Sequence, residues 1–104
     1  MATQGECIWI HQKLMAEMIQ TNGRHFQSAE YASIQVPTYP CGQISAFVLS
    51  KNQHSCSLPV RTIKDSINEN NECNFMPFRY YSSEMHQAAF VLPAFVKNTI
   101  LNLK

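Results

Sequence analysis

Apolar residues recur at Ile8, Trp9, Ile10, Leu14, Met15, Met18 and Ile19. That spacing returns to one side of a 3.6-residue turn and predicts a helix over about 8–20. Lys13 and Glu17 fall four apart on the other side, where opposite charges are weakly favourable. Asn22-Gly23 marks the stop, with Gly23 suited to a left-handed position just past the helix end. Two strand-like runs follow, Glu30 to Val36 and Ile44 to Ser50. The segment between them is too short for a crossover, so they must pair antiparallel. From Lys51 to Cys73 the pattern fades, apart from a possible short helix opened by Pro59 with Val60, Ile63 and Ile67. Asp65 to Asn74 is mostly polar, with one isoleucine and one cysteine, and has little to bury, so residues 64–78 are expected to form a mobile loop. Order returns with Ser82 or Ser83 as a helix cap and Glu84 in the first turn, where the helix dipole favours negative charge. Pro93 suits the start of a last helix reaching about Leu101.

The predicted order is helix, antiparallel strand pair, polar linker and two short helices. Two strands are marginal as an independent sheet. The apolar helix stripe and both faces of the hairpin need more sheet to lie on. The pattern therefore predicts the closing edge of a larger α/β sheet.

The corner between the strands is Pro37-Thr38-Tyr39-Pro40-Cys41-Gly42-Gln43. Each proline fixes its own φ near ~−65° and pushes the residue before it toward the extended region, so Tyr39 has little backbone freedom. Gly42 allows a reversal that a Cβ would resist. Such a corner can be a plain turn with a packed tyrosine. It can equally hold a phenol still against a ligand.

Composition narrows the field. The chain has 104 residues, enough for one domain, with 45% hydrophobic and 11% aromatic content. Charged residues make up only 14%, low for a small free-standing domain, which suggests that another segment or subunit covers part of the surface. A net charge of +1 and no long basic run argue against nucleic acid as a partner. Cys7, Cys41, Cys56 and Cys73 form no C-x-x-C pair, and the four histidines are scattered, so no metal site is expected. Met1 to Glu6 lacks a basic, apolar leader, and no apolar run approaches the ~20 residues of a membrane span. A reduced, cytoplasmic setting without membrane attachment fits these features.

A longer series of residues then becomes specific. Gln4-Gly5-Glu6, Trp9 and His11, Pro37-Thr38-Tyr39-Pro40 with Gly42-Gln43-Ile44, Ser50-Lys51-Asn52, Tyr80-Tyr81-Ser82, and His86 to Pro93 with Phe95 occur in that order. Together, from about Gln4 to Lys97, they resemble the last third of the spermidine synthase (aminopropyltransferase) family. The resemblance implies that the whole chain, 1–104, is a C-terminal segment of a Rossmann-like, methyltransferase-type catalytic domain. Residues 8–20 would be its last large helix, and the hairpin would supply its final two strands, one of them antiparallel to the rest. It implies a role in polyamine biosynthesis: transfer of an aminopropyl group from decarboxylated S-adenosylmethionine to putrescine, giving spermidine and 5′-methylthioadenosine. Members are mostly homodimers and need no metal. No cofactor is expected to bind this chain.

Residue by residue, the resemblance gives Tyr39 a place lining the putrescine site. A phenol offers a diamine an acceptor oxygen and a ring face for an ammonium. Gln4 matches a glutamine at the edge of that pocket, and Ile44 an apolar residue against the methylene chain. Glu6 is a lesser candidate, since a carboxylate there can equally be a surface charge. Gln4 and Ile44 would also pass as ordinary strand-end residues.

Several family features are missing. Glycine occurs only at 5, 23 and 42, so no G-x-G cradle for the donor can be written. Asp65 is the only aspartate. The chain alone is therefore expected to be inactive. Residues 64–78 match the family poorly, Cys41 stands where serine is common, and Ser45 stands where glycine is usual. Three readings follow: a portion of a spermidine synthase; a non-catalytic truncated relative that docks on a full-length subunit; or a portion of a spermine synthase or putrescine N-methyltransferase.

Overall fold

Strand β3 (Gln43–Ser50) is the centre of the molecule, a computed structural model that describes residues 1–60 and 79–101. β1 (Ala2–Gly5) pairs on one side of it and β2 (Ser28–Gln35) on the other. Both pairings are antiparallel, so β1 and β2 run parallel to each other across it. α1 (Gln12–Gly23) joins β1 to β2, and α2 (Ser83–Ala88) and α3 (Ala94–Leu101) follow later in the chain. The hairpin forms as its pattern predicts, shifted by a residue or two at the ends.

The two-residue period of β3 sorts its side chains onto opposite faces. Ser45, Phe47 and Leu49 are buried on one face. There they join Met15 and Ile19 of α1, Val96 and Ile100 of α3, and Tyr31 of β2 in the core. The Tyr31 and Phe47 rings meet edge to face, 5.6 Å between centroids. Ala46 and Val48 turn to the other face, with Ala32 and Ile34 of β2 beside them and Tyr81, His86 and Phe90 across a cavity of about 240 Å³. The backbone of Ser33 donates to the Ala89 carbonyl at 2.7 Å, so the outer edge of β2 is partly covered. The sheet is layered by helices on both faces, as a partial α/β domain requires.

Three expectations need correction. The helix does not start at Ile8. The Cys7 carbonyl accepts the backbone N–H groups of Ile10 and His11, folding residues 8–10 into a turn, and the helix starts at Gln12. Ile8 is buried, while Trp9 and Ile10 are exposed, because a turn does not put successive residues on one face. Gly23 is not left-handed: it is the last residue of α1, and Arg24 after it is still right-handed at φ −64°. The sheet is also not a strand pair. The small, polar start of the chain, to which the pattern assigned no element, adds a third strand, β1, whose ladder runs from Ala2 opposite Val48 to Gly5 opposite Ser45. The helix proposed after Pro59 and the loop at 64–78 lie outside the described residues.

Other local readings hold. The Ser82 hydroxyl accepts from the Met85 N–H at 3.1 Å and caps α2. The Pro93 carbonyl receives the N–H groups of Val96 and Lys97, placing the proline at the start of α3. Gly42 has φ +68°. A Cβ there would meet nothing within 4 Å, so only backbone strain opposes a side chain. Gly42→Ala is expected to lower stability by roughly 1–2 kcal/mol, read as an earlier urea-unfolding midpoint. An unchanged midpoint would show that the corner relaxes away from this geometry.

Candidate functional site

The end of the sheet that carries the corner is held by a small set of polar bonds. Val36 N–H donates to the Gly42 carbonyl at 2.9 Å, Tyr39 N–H to Val36 at 3.1 Å and Gly42 N–H to Tyr39 at 2.9 Å. These bonds close the turn around Tyr39 and leave its side chain 42% exposed at the tip. The phenol is thus not sealed in the core.

Across the sheet, β1 ends at the same place. Gly5 sits opposite Ser45, and a Cβ on Gly5 would collide with the Ser45 hydroxyl and lie 3.0 Å from Phe47. Ser45 is buried at 2% exposure, and its hydroxyl donates to the Glu6 carbonyl at 2.8 Å. The Tyr31 hydroxyl donates to the same carbonyl at 3.1 Å. Burial is the main reason that Tyr31 holds its proton more tightly than usual, so it stays a donor. Ser45 is therefore accommodated: its hydroxyl has a partner, and the glycine facing it leaves room.

These bonds fix the predicted residues as follows. Gln4 is opposite Ala46, and Ile44 is two residues along β3 from Ala46. In antiparallel pairs, opposite residues project to the same side, so Gln4, Ala46 and Ile44 share the face away from α1. Gln4 is exposed and Ile44 half-buried. Tyr39 stands at the same end of the sheet, beyond the start of β3. Glu6 follows β1 directly, its backbone held by the two hydroxyls and its side chain exposed. The four positions gather at the carboxyl ends of β1 and β2, where open α/β sheets place their ligand sites.

Two arrangements were not legible in the sequence. The Trp9 indole donates to the Gln43 side-chain oxygen at 2.9 Å and packs on Phe95 with centroids 4.9 Å apart, tying the 8–10 turn to both the corner and α3. His86 bridges two segments. Its Nε2 lies 2.7 Å from the Cys56 carbonyl and must donate to it, and its Nδ1 lies 2.9 Å from the Tyr81 hydroxyl. Glu30 anchors the same loop, accepting from the Ser55 hydroxyl and the Cys56 N–H, both at 2.5 Å. Partners 25 or more positions apart leave no periodic trace. Among the described residues no cluster of three metal-ligating side chains occurs. No helix there is long and apolar enough to cross a membrane.

Comparison with known proteins gives a consistent answer. Residues 1–59 match the family described as the spermine/spermidine synthase domain. The chain is 36% identical over 99 residues to a spermidine synthase of Schizosaccharomyces pombe, covering 94% of this chain and 31% of that protein. It is 34% identical to putrescine N-methyltransferase 2 of Nicotiana tabacum, over 94% of this chain and 28% of that one. It is 32% identical to a spermine synthase of Arabidopsis thaliana, over 99% of this chain and 29% of that one. The chain thus spans about a third of the length of the curated relatives it matches. In fold it resembles a spermidine synthase from Thermotoga maritima, with a TM-score of 0.69 at 22% identity, over 97% of this chain and 33% of that one.

Proposed function

The chain belongs to the spermine/spermidine synthase family, and from that premise we propose that it is the acceptor-side portion of an aminopropyltransferase of polyamine biosynthesis. In this reading residues 1–104 are the C-terminal segment of the catalytic domain. The observation that carries it is the gathering of Gln4, Tyr39 and Ile44 at one end of the sheet. The proposed acceptor is putrescine, a diamine charged at both ends with an apolar middle. The Tyr39 oxygen and ring face receive one ammonium, the Gln4 amide oxygen accepts from an amine, and Ile44 packs on methylenes. Glu6, close by and exposed, adds negative charge to the rim.

The reaction asks little of these residues chemically. A neutral amine nitrogen attacks the aminopropyl carbon next to the sulfonium, the carbon–sulfur bond breaks, and 5′-methylthioadenosine leaves with the electron pair. The amine must first lose a proton to a base, since an ammonium has no lone pair to donate. Tyr39, Gln4 and Ile44 hold and orient the acceptor. The donor cradle and the base belong to the remainder of the parent enzyme, and so does the choice between an aminopropyl and a methyl donor. The likeness to a putrescine N-methyltransferase keeps that second donor as the competing reading.

A chimera tests this: the chain replaces the third of the S. pombe spermidine synthase that it matches. Tyr39→Ala in the chimera should raise KM for putrescine by roughly 2- to 30-fold, the loss of ~0.5–2 kcal/mol of ring–cation attraction. The kcat should hardly change, because the contact exists before and during transfer. Tyr39→Phe should lie between. A KM indifferent to both substitutions would remove Tyr39 from the site.

A further inference from the structure

The buried stripe of α1 passes through Met15 and Ile19 at a four-residue step, and its next position is Gly23. No side chain continues the stripe there. Glycine is a poor helix former, and the backbone does not ask for it, since Gly23 is not left-handed. Crowding does not ask for it either: a Cβ would lie 3.5 Å from the Ala29 Cβ, an ordinary contact. What the missing side chain leaves is a cavity of about 450 Å³ between the last turn of α1, the start of β2 and Ile100 of α3. Its floor is apolar. Ile19 and Ile100 belong to the core, and Phe26 and Ala29 pack against it. Gln20, Arg24 and Gln27 are the exposed side chains of the lining. Arg24 is the one charged residue among them, and it makes no ion pair among the described residues.

We propose that this cavity binds a small amphipathic monocarboxylate, with the carboxylate on Arg24 and the apolar body over Ile19, Phe26 and Ile100. The volume falls within the ~300–1,000 Å³ of small-molecule sites. The floor selects an apolar body, because polar groups placed there would lose water without gaining partners. The rim selects the head group. A guanidinium repels a cation, and it presents a planar fork of donors that fits a carboxylate and that a neutral ligand leaves unused. The Gln20 and Gln27 amides add further donors. The carboxyl end of a helix is a negative pole and opposes an anion. Here its last carbonyls are already engaged, Asn22 by the Arg24 and His25 N–H groups and Gly23 by that of Phe26. The full charge of Arg24 outweighs what remains of that partial one.

The cavity adjoins the start of β2, whereas the corner that carries Tyr39 follows the end of that strand. The two sites share no residue, so a carboxylate here does not compete with an acceptor there.

Octanoate titrated into the purified, isotope-labelled chain provides the test, read by amide NMR, with octanol and octylammonium as neutral and cationic controls. Saturable shifts are expected at Gly23, Arg24, Phe26 and Ala29, while Tyr39 and Gly42 stay in place. Octanol should bind more weakly and octylammonium not at all. Arg24→Ala should weaken octanoate by about tenfold or more, the loss of a hydrogen bond to a charged group, and leave octanol unaffected. Gly23→Leu carries an apolar side chain into the cavity. It should abolish octanoate binding without lowering the urea-unfolding midpoint, since leucine is the better helix former. Shifts centred on Trp9, Ile10 and Leu14, equal binding of octanol or octylammonium, full affinity in Gly23→Leu, or no saturable binding would each overturn the proposal. Binding only by a variant ending at Leu101 would mean that the chain's own end fills the cavity, and would overturn it as well.

Discussion

Given decarboxylated S-adenosylmethionine and putrescine, the isolated chain makes no spermidine above the uncatalysed background. Two deficits produce this result. The first is positioning. Holding two reactants in line is worth effective molarities of ~10⁵–10⁸ M, and a chain with glycine only at 5, 23 and 42 offers no G-x-G turn for the donor nucleoside. The second is proton transfer, typically worth ~10²–10⁴-fold in rate. The described carboxylates do not supply it. Glu30 is engaged by Ser55 and Cys56 at the far end of the sheet. Glu17 lies on the outer face of α1, and Glu84 in the first turn of α2. Glu6 is near the corner, but its side chain is exposed rather than enclosed in a pocket that would hold an amine against it. Labelled donor and chromatographic detection of spermidine check the result. Turnover by the chain alone would mean that donor site and base both reside in these 104 residues.

Phe47→Ala abolishes cooperative unfolding or lowers stability by about 3–5 kcal/mol. Phe47 is 1% exposed at the middle of the central strand, edge-on to Tyr31 and within the cluster that Met15, Ile19 and Val96 complete. Truncation leaves a cavity that three rigid strands and two helices cannot all collapse into. Small domains hold only about 5–15 kcal/mol in total, so the loss is a large share. Phe47→Leu keeps most of the volume and should cost less than about 1.5 kcal/mol. Urea unfolding followed by far-UV circular dichroism separates the two. Equal, small effects from both would move the centre of the core elsewhere.

The legible parts of this fold were those in which local chemistry alone determines the outcome. The alternation through Phe47 and Leu49, the proline-braced corner with its left-handed Gly42, and the Ser82 cap each depend on neighbours within a few residues. β1 was invisible because Ala2-Thr3-Gln4-Gly5 is short and mostly polar, and becomes a strand only by pairing with β3. Ile8-Trp9-Ile10 misled because a turn can bury one apolar residue and expose the next two. Gly23 carried a stop signal, yet the chain continues right-handed through Arg24. At the site, only the family resemblance singled out Tyr39, while the placing of Gln4 on the face of Ile44 depended on the register of a strand the pattern did not reveal.

The low charge content finds its counterpart in Trp9, Ile10 and Leu14, large apolar side chains left 58%, 66% and 44% exposed where α1 begins. Acceptor-dependent product formation by the S. pombe chimera joins both halves of the account in one measurement. Spermidine should accumulate when putrescine is supplied, although neither this chain nor the S. pombe portion makes any by itself. A folded chimera that still binds the decarboxylated donor yet leaves putrescine untouched would contradict it.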